Sequence, residues 1–308
     1  MAKSCNEVRK DFLGRKVVIT VVRKDRPHDE AAPQKKPKTT PPEKCYFCPG
    51  NEHLTPPEIG RIEKGGKWEV RCFPNKFPAF CQESRKAYGR HEVIVETPDH
   101  QKTLSELSVE NLFDYLSMVK RRMAAAEQDP KIEYVCVFKN EGKEAGASLE
   151  HSHTQLVGMP FVPEYVKKFQ KKMAKLEKLK ANMGKMIYAE NGGFFALCPK
   201  TSRFHFESWI SSKEKAASIS ELDDDRLRAL ASVLKQALVA TDAATNYAPY
   251  NIVYMNAPKG EKEFPFHIQI LPRIGIWAGF ELGTEVIMTS EIPEESAKVL
   301  CEKAKLAK

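Results

Sequence analysis

Two histidines separated by one residue, His151 and His153, sit in the run Ser148-Leu149-Glu150-His151-Ser152-His153-Thr154-Gln155. Upstream lie Cys45-Tyr46-Phe47-Cys48 and an isolated His100 in Thr97-Pro98-Asp99-His100. Cys45 and Cys48 have the spacing of a zinc knuckle, and two thiolates with two neutral imidazoles would complete a tetrahedron around Zn²⁺. His100 and His151 are the candidate imidazoles, with His53, close after the knuckle, as a competitor. A redox role for the cysteine pair needs a thioredoxin-like context in which the pair opens a helix, whereas Pro49-Gly50 follows here. Residues two apart on an extended segment point the same way. Both His151 and His153 could therefore bind one metal, or one of them could be a hydrogen-bonded core residue. The surroundings favour a division of labour. Ser148, Thr154 and Gln155 supply neutral donors, and Gly142 and Gly146 bracket a loop, a setting that suits a bound phosphate. A neutral imidazole is a competent nucleophile at phosphorus near neutral pH. With His151 on the metal and His153 attacking, the chemistry is phosphorus transfer through an enzyme-bound histidine.

The elements that must position these groups follow from hydrophobic spacing. Lys16 to Arg23, rich in β-branched residues, predicts a strand, as do Trp68–Phe73, Glu92–Glu96, Tyr134–Phe138 and Thr154–Gly158. Leu112, Tyr115, Leu116, Val119 and Met123 recur at helical spacing and predict a helix from Val109 to Glu127. Val166, Phe169, Met173, Leu176 and Leu179 predict a second helix whose other faces carry lysines. The stretch from Asp25 to Glu43 is polar and rich in Pro and Lys, and reads as a surface loop. The second half repeats the order: a strand at Phe206–Ile210, a helix at Arg226–Ala240, and strands at Asn251–Met255 and His267–Pro272. Laid over the first half, Glu207 falls on Glu92 and His267 on His153, with offsets that differ by one residue. Two copies of one α+β unit, each an antiparallel sheet with a long helix packed on it, account for this.

The chain has 308 residues, enough for a sizeable core, and its net charge is +8 from 49 Lys+Arg against 41 Asp+Glu. That excess suits an anionic partner such as a nucleotide or sugar phosphate, although lysines solvating helix faces account for it equally well. No apolar run approaches the ~18 residues of a membrane span, and the first residues are polar, so a cytoplasmic location is expected. Eight cysteines in a long intracellular chain argue against a disulfide framework.

These motifs carry a resemblance. The chain resembles the galactose-1-phosphate uridylyltransferase family of the histidine-triad superfamily in Cys45-x-x-Cys48 followed by Pro49-Gly50-Asn51-Glu52, in Phe73-Pro74-Asn75-Lys76-Phe77, in Pro98-Asp99-His100, in His151-x-His153-x-Gln155, and in Ile270-Leu271-Pro272-Arg273 with Gly279-Phe280-Glu281. The resemblance implies one structural zinc site per chain formed by Cys45, Cys48, His100 and His151. It implies a covalent nucleotidyl intermediate on His153, with Gln155 at the α-phosphate and Ser148 at the departing phosphate. It implies phosphate contacts from Arg23 and Arg26 and a nucleoside contact from Asn75. Lys76, Phe77, Asn140, Phe280 and Glu281 complete the residues expected at substrate. It also implies a homodimer whose sites borrow groups from the neighbouring subunit. The implied fold is two tandem histidine-triad-like units: residues 1–165 with the zinc site and reactive histidine, a basic connecting helix over 166–190, and residues 191–308 with a degenerate metal site.

Three departures bear on specificity. Lys76 stands where the family carries an acidic residue at the ribose. Lys215 and Pro265 stand where His100 and His151 would repeat, and no second Cys-x-x-Cys exists, so a second metal is not expected. The segment 274–278 has no Lys, where the family often places one for the sugar phosphate. The leading expectation is transfer of a nucleoside monophosphate, UMP first, between a nucleotide sugar and a hexose 1-phosphate. The alternative is an ADP-glucose or dinucleotide phosphorylase with inorganic phosphate as acceptor. A hydrolase is disfavoured, because water needs no second sugar-phosphate site. From another class, a zinc-bearing nucleic-acid-binding protein is disfavoured by the single knuckle and the lack of an aromatic-basic RNA-recognition motif. Neither nucleic acid nor membrane is expected as a partner.

Overall fold

A computed structural model describes residues 6–20, 37–172 and 184–307. Among them ten strands form one antiparallel sheet: β3 (Gly60–Lys64), β4 (Lys67–Pro74), β5 (Arg90–Val95), β6 (Tyr134–Glu141), β7 (His153–Met159), β8 (Ile187–Asn191), β9 (Phe194–Leu197), β10 (Ser208–Ser212), β11 (Tyr250–Met255) and β12 (His267–Pro272). Their order is β3-β4-β5-β7-β6-β11-β12-β10-β9-β8. Read outward from the middle, the two sides repeat: β6 matches β11, β7 matches β12, and so on to β3 and β8. The centre falls at Phe138 opposite Val253. These two residues are also equivalents, because Phe138 pairs with Gln155 as Val253 pairs with Gln269.

One face of the sheet is covered by α1 (Val109–Glu127) and α3 (Asp224–Thr245). The expected bounds of α1 are met. Ser108 Oγ accepts from the Asn111 amide at its start, and Leu112, Tyr115, Leu116, Val119 and Met123 are buried. Each such side chain contributes about 1.5–3 kcal/mol by leaving water. Helix α3 is longer than its apolar spacing predicts, with Asp223 capping its first turn and Asn246 ending it in a left-handed conformation at φ 53°. A short helix α2 (Glu164–Gln170) carries the start of the predicted lysine-rich helix and buries Val166 and Phe169; Met173, Leu176 and Leu179 lie outside the described residues. A small sheet joins β1 (Glu7–Lys10), β2 (Lys16–Ile19) and β13 (Ile287–Thr289), flanked by α4 (Gly279–Thr284) and α5 (Pro293–Ala304).

Two sequence expectations are corrected. The strand placed at Phe206–Ile210 runs instead over Ser208–Ser212. Phe206 is left-handed at φ 59°, and its N–H donates to the Glu291 carboxylate at 2.7 Å, so the chain turns there before pairing begins. The repeat overlay also shifts. Ser208 pairs with Ile270 as Glu92 pairs with Leu156, so Glu207 is the counterpart of His91 and not of Glu92. A one-residue shift exchanges the faces of a strand, and Glu207 therefore shares a face with His267. The strand expected at Trp68–Phe73 is β4, but its hairpin partner β3 escaped the strand reading, although Gly65 and Gly66, both at positive φ (57° and 74°), form the turn between them.

Candidate active site and metal cluster

The knuckle and the two histidine segments converge at one end of β5 and β7. Cys45 and Cys48 hang from a turn held by Asn51, whose Nδ2 donates to the Cys45 carbonyl at 2.8 Å. Glu52 braces the turn by accepting from the Gly50 amide (2.8 Å) and from Trp68 Nε1 (2.9 Å). Cys48 Sγ lies 3.2 Å from His100 Nδ1 and 3.6 Å from His151 Nδ1, while Cys45 Sγ lies 3.5 Å from His151 Nδ1. The two Nδ1 atoms are 3.4 Å apart. Metal bonds of roughly 2.0–2.3 Å at tetrahedral angles set ligand atoms about 3.3–3.8 Å apart, so the spacing fits zinc. The donor chemistry fits as well. His151 Nε2–H donates to the Thr97 carbonyl at 2.8 Å, which turns the Nδ1 lone pair toward the sulfurs. All four residues are buried. Burial pushes the Cys48 thiol up to about 12 and the His151 imidazole down to about 4, so the pocket disfavours thiolate and imidazolium unless a cation is present. His53 is exposed and stands outside the cluster.

His153 begins β7. Its Nδ1–H donates to the His151 carbonyl at 2.8 Å, which leaves Nε2 as the lone-pair nitrogen, with no partner among the described residues. The ring packs edge-on to Phe47, centroids 5.4 Å apart. Burial first, and the Lys139 ammonium second, push its pKa below the ordinary histidine range, so the imidazole is neutral at pH 7. Gln155, two residues on, shares that face. Its Oε1 lies 2.8 Å from His91 Nε2, and His91 in turn lies 3.2 Å from Asn75 Nδ2.

Beneath this strand, on the opposite face, lies an ionic network that the sequence reading missed. Lys139, fully buried, bonds Glu96 and Glu141 at 2.9 Å each and Ser152 Oγ at 2.9 Å, and lies 3.4 Å from the His153 carbonyl. Burial works against its charge, but Glu141 and Glu96 outweigh burial and raise its pKa. Thr154 Oγ1 donates to Glu96 at 2.5 Å and meets Tyr115, which meets Tyr254. A charged residue in a strand ordinarily signals solvent, so nothing local in the sequence marks Lys139 as interior. Also missed was a strap across the knuckle. Glu150 accepts from the Thr39 and Thr40 amides at 3.0 and 2.7 Å, and the Thr40 amide foremost holds its carboxyl down at about 2. This strap belongs to the described part of the Asp25–Glu43 stretch.

The structure thus brings together His151, His153, Gln155, Asn75 and the metal quartet. Asn140 lies beside them, its Oδ1 accepting from Asn251 Nδ2 (2.8 Å), and the same Nδ2 donates to the Ala145 carbonyl. This seats the loop entered at Gly142, where a Cβ would come within 2.8 Å of Pro249. Ser148 is exposed in the segment after that loop, and Lys76 and Phe77 are exposed just past β4. Phe280 and Glu281 lie apart in α4, where Glu281 lines a cavity of about 730 Å³ with Arg15, Tyr165, Lys168 and Trp277. Arg23 and Arg26 lie outside the described residues. No described helix is long and apolar enough to cross a membrane.

Residues 83–163 match the family model of the galactose-1-phosphate uridyl transferase N-terminal domain. The chain is 30% identical to an ADP-glucose phosphorylase of Arabidopsis thaliana, over 96% of this chain and 92% of that protein. It is 25% identical to a galactose-1-phosphate uridylyltransferase of Thermotoga maritima, over 88% and 93%. Among solved structures, an ADP-glucose phosphorylase from Arabidopsis thaliana with bound ADP-glucose superposes with a TM-score of 0.87 at 28% identity, covering 97% of this chain and 99% of that one. The fold and these likenesses define an enzyme of the nucleotidyltransferase and phosphorylase class. The chain belongs to the galactose-1-phosphate uridylyltransferase family.

Proposed function

We propose that the protein moves a nucleoside monophosphate from a nucleotide sugar to a phosphate acceptor through a covalent intermediate on His153. The observation that carries this is His153 itself: a neutral imidazole whose Nδ1–H is tied to a backbone carbonyl and whose Nε2 is unencumbered beside Gln155. The Nε2 lone pair attacks the α-phosphorus, and the bond to the sugar-phosphate oxygen breaks. The sugar 1-phosphate departs as an anion and needs no proton. The acceptor oxygen then displaces Nε2, restoring the imidazole. Through both steps Nδ1–H stays on the His151 carbonyl, which steadies the cationic ring of the adduct. Gln155 holds the α-phosphate, Ser148 the departing phosphate, Arg23 and Arg26 contact phosphates, and Asn75, Lys76 and Phe77 meet the nucleoside. Asn140 contacts substrate beside the loop it seats. Phe280 and Glu281, remote from His153 in their own chain, serve the site of a second copy in a homodimer. Zn²⁺ held by Cys45, Cys48, His100 and His151 would act structurally, pinning the knuckle to the segment that begins β7.

ADP-glucose with inorganic phosphate, giving ADP and glucose 1-phosphate, is the favoured pair. Its support is the 30% identity and the TM-score of 0.87 with ADP-glucose phosphorylases, together with the lack of a Lys over 274–278 for a second sugar phosphate. UDP-glucose with galactose 1-phosphate is the second reading, supported by the family model and the Thermotoga relative. Incubation with ADP-glucose or UDP-glucose alone, read by intact mass, should yield a nucleotidyl adduct whose mass identifies the base. Chasing the adduct with phosphate or with galactose 1-phosphate then identifies the acceptor. No adduct from either donor would sink the proposal.

A further inference from the structure

His91 is a histidine to which the reaction described above gives no task. Its ring is fixed from both sides. The backbone N–H of Ala79 donates to Nδ1 at 3.1 Å, so Nδ1 carries a lone pair and the neutral ring must carry its proton on Nε2. Two side chains reach Nε2: Gln155 Oε1 at 2.8 Å and Asn75 Nδ2 at 3.2 Å. Asn75 cannot be the acceptor, because its Oδ1 is already turned to the Phe77 amide at 2.8 Å and its Nδ2 is a donor. The proton on Nε2 therefore goes to Gln155 Oε1. A carboxamide has one oxygen and one NH₂, so fixing the oxygen on His91 fixes the NH₂ away from it. Among the described residues no group accepts from Gln155 Nε2.

We infer that His91 is a positioning residue, which orients the Gln155 amide so that its N–H bonds, and not its carbonyl, meet the α-phosphate beside His153. The inference rests on the nucleotidyl-transfer reading. Without this lock the amide would have two orientations of similar energy, and one of them would present an oxygen lone pair to an anion.

The second half supports the same logic independently. Gln269 pairs with Val253 as Gln155 pairs with Phe138, and its Oε1 accepts from Arg203 Nη2 at 2.9 Å. A guanidinium can only donate, so Gln269 Nε2 is left facing His267 Nε2, 3.0 Å away. Arg203 is held there by Glu207, which occupies the strand position of His91. Different residues impose one amide orientation in both halves.

The test compares His91→Gln, which can still donate to Gln155, with His91→Leu, which cannot. Each is made with Gln155 present and in a Gln155→Ala background, and single-turnover formation of the His153 adduct is followed with ADP-glucose and UDP-glucose as probes. With Gln155 present, His91→Gln should fall less than about tenfold, the size of one lost neutral hydrogen bond. His91→Leu should fall toward the roughly 10²-fold loss expected when an anion-facing donor is misdirected. In the Gln155→Ala background the gap between the two should close, which a purely structural role for His91 would not produce. Equal rates with Gln155 present, or a gap that persists without it, would overturn the inference. Nitrogen NMR of the wild-type ring, expected to show the proton on Nε2, tests the lock without any turnover, and a proton on Nδ1 would also overturn it. A wild type that forms no adduct while showing the Nε2 proton would remove the transfer reading, and His91's role in transfer with it, leaving only the hydrogen-bond lock.

Discussion

His153 and His267 occupy equivalent ends of β7 and β12, and their backbones treat them alike. Each donates Nδ1–H to the carbonyl two residues earlier, His151 or Pro265, at 2.8 Å. The tautomer is thus a property of the repeated fold. The setting of Nε2 is not. His153 Nε2 has no partner among the described residues, and the ring is touched edge-on by Phe47. His267 Nε2 receives Gln269, and its ring lies between Phe169, stacked at 5.1 Å, and Trp209 at 5.0 Å. His267 is wholly inaccessible at 0%. Behind it Pro265 has no ligand atom to offer a metal, and with the overlay shifted by one residue the place of His100 falls to Ala216 rather than Lys215, which removes that ligand as well. The transfer proposed for His153 needs an open Nε2 and a braced strand start, and among the described residues the first half shows both while the second does not.

The comparison can be broken at several points. The largest effect is expected from His153→Ala, which should abolish the adduct in intact mass and lower turnover by ~10⁴-fold or more. An adduct that survives, and maps to His267, would reverse the assignment of the halves. Cys45→Ser should lose zinc, measured by metal content, and melt far earlier, because metal-binding free energy of such sites is folding free energy; full zinc content would remove Cys45 from the ligand set. Lys139→Met strands two carboxylates beneath β7 and should cost about 3–5 kcal/mol in denaturant unfolding. The pH dependence has a definite sign. Burial depresses the His151 pKa to about 4 from 6.5, so below pH 6.5 the unfolded chain takes up a proton that the fold refuses. Stability and zinc retention should therefore be full above pH 6.5 and fall as pH drops toward 4; a flat melting temperature over that range would contradict the buried, neutral His151. The smallest effect belongs to His267→Phe, which should leave adduct formation at the wild-type rate and cost about 1–3 kcal/mol of stability.

Much of this was legible in advance. Helical spacing located α1 to the residue. The Cys45-x-x-Cys48 spacing announced a metal site, whereas the choice of His100 and His151 over the nearer His53 came from the family resemblance, because those two are distant in sequence. What escaped depends on residues distant in sequence. Glu96, just past β5, and Lys139 on β6 meet only across β7, so neither carries a local sign of burial. His91, one residue before the strand expected from Glu92, drew no reading because its meaning comes from the Ala79 amide and from Gln155. The register of β10 was misjudged by one residue because the overlay followed glutamate identities, whereas strand pairing follows the faces.

The junction of β6 with β11 has a consequence for dissecting the molecule. The two strands pair without a break from Val137–Tyr254 to Glu141–Tyr250, about a centre at Phe138 and Val253. Expressed alone, the first half would end at an open edge in β6, and unpaired edges recruit partners. The geometry names the partner, since in the whole chain that edge receives β11, the counterpart of β6. Two first halves would close into the same ten-stranded sheet, now with two knuckles and two unblocked histidines. The second half, on this view, is a resident partner that closes the edge the first half would otherwise leave open.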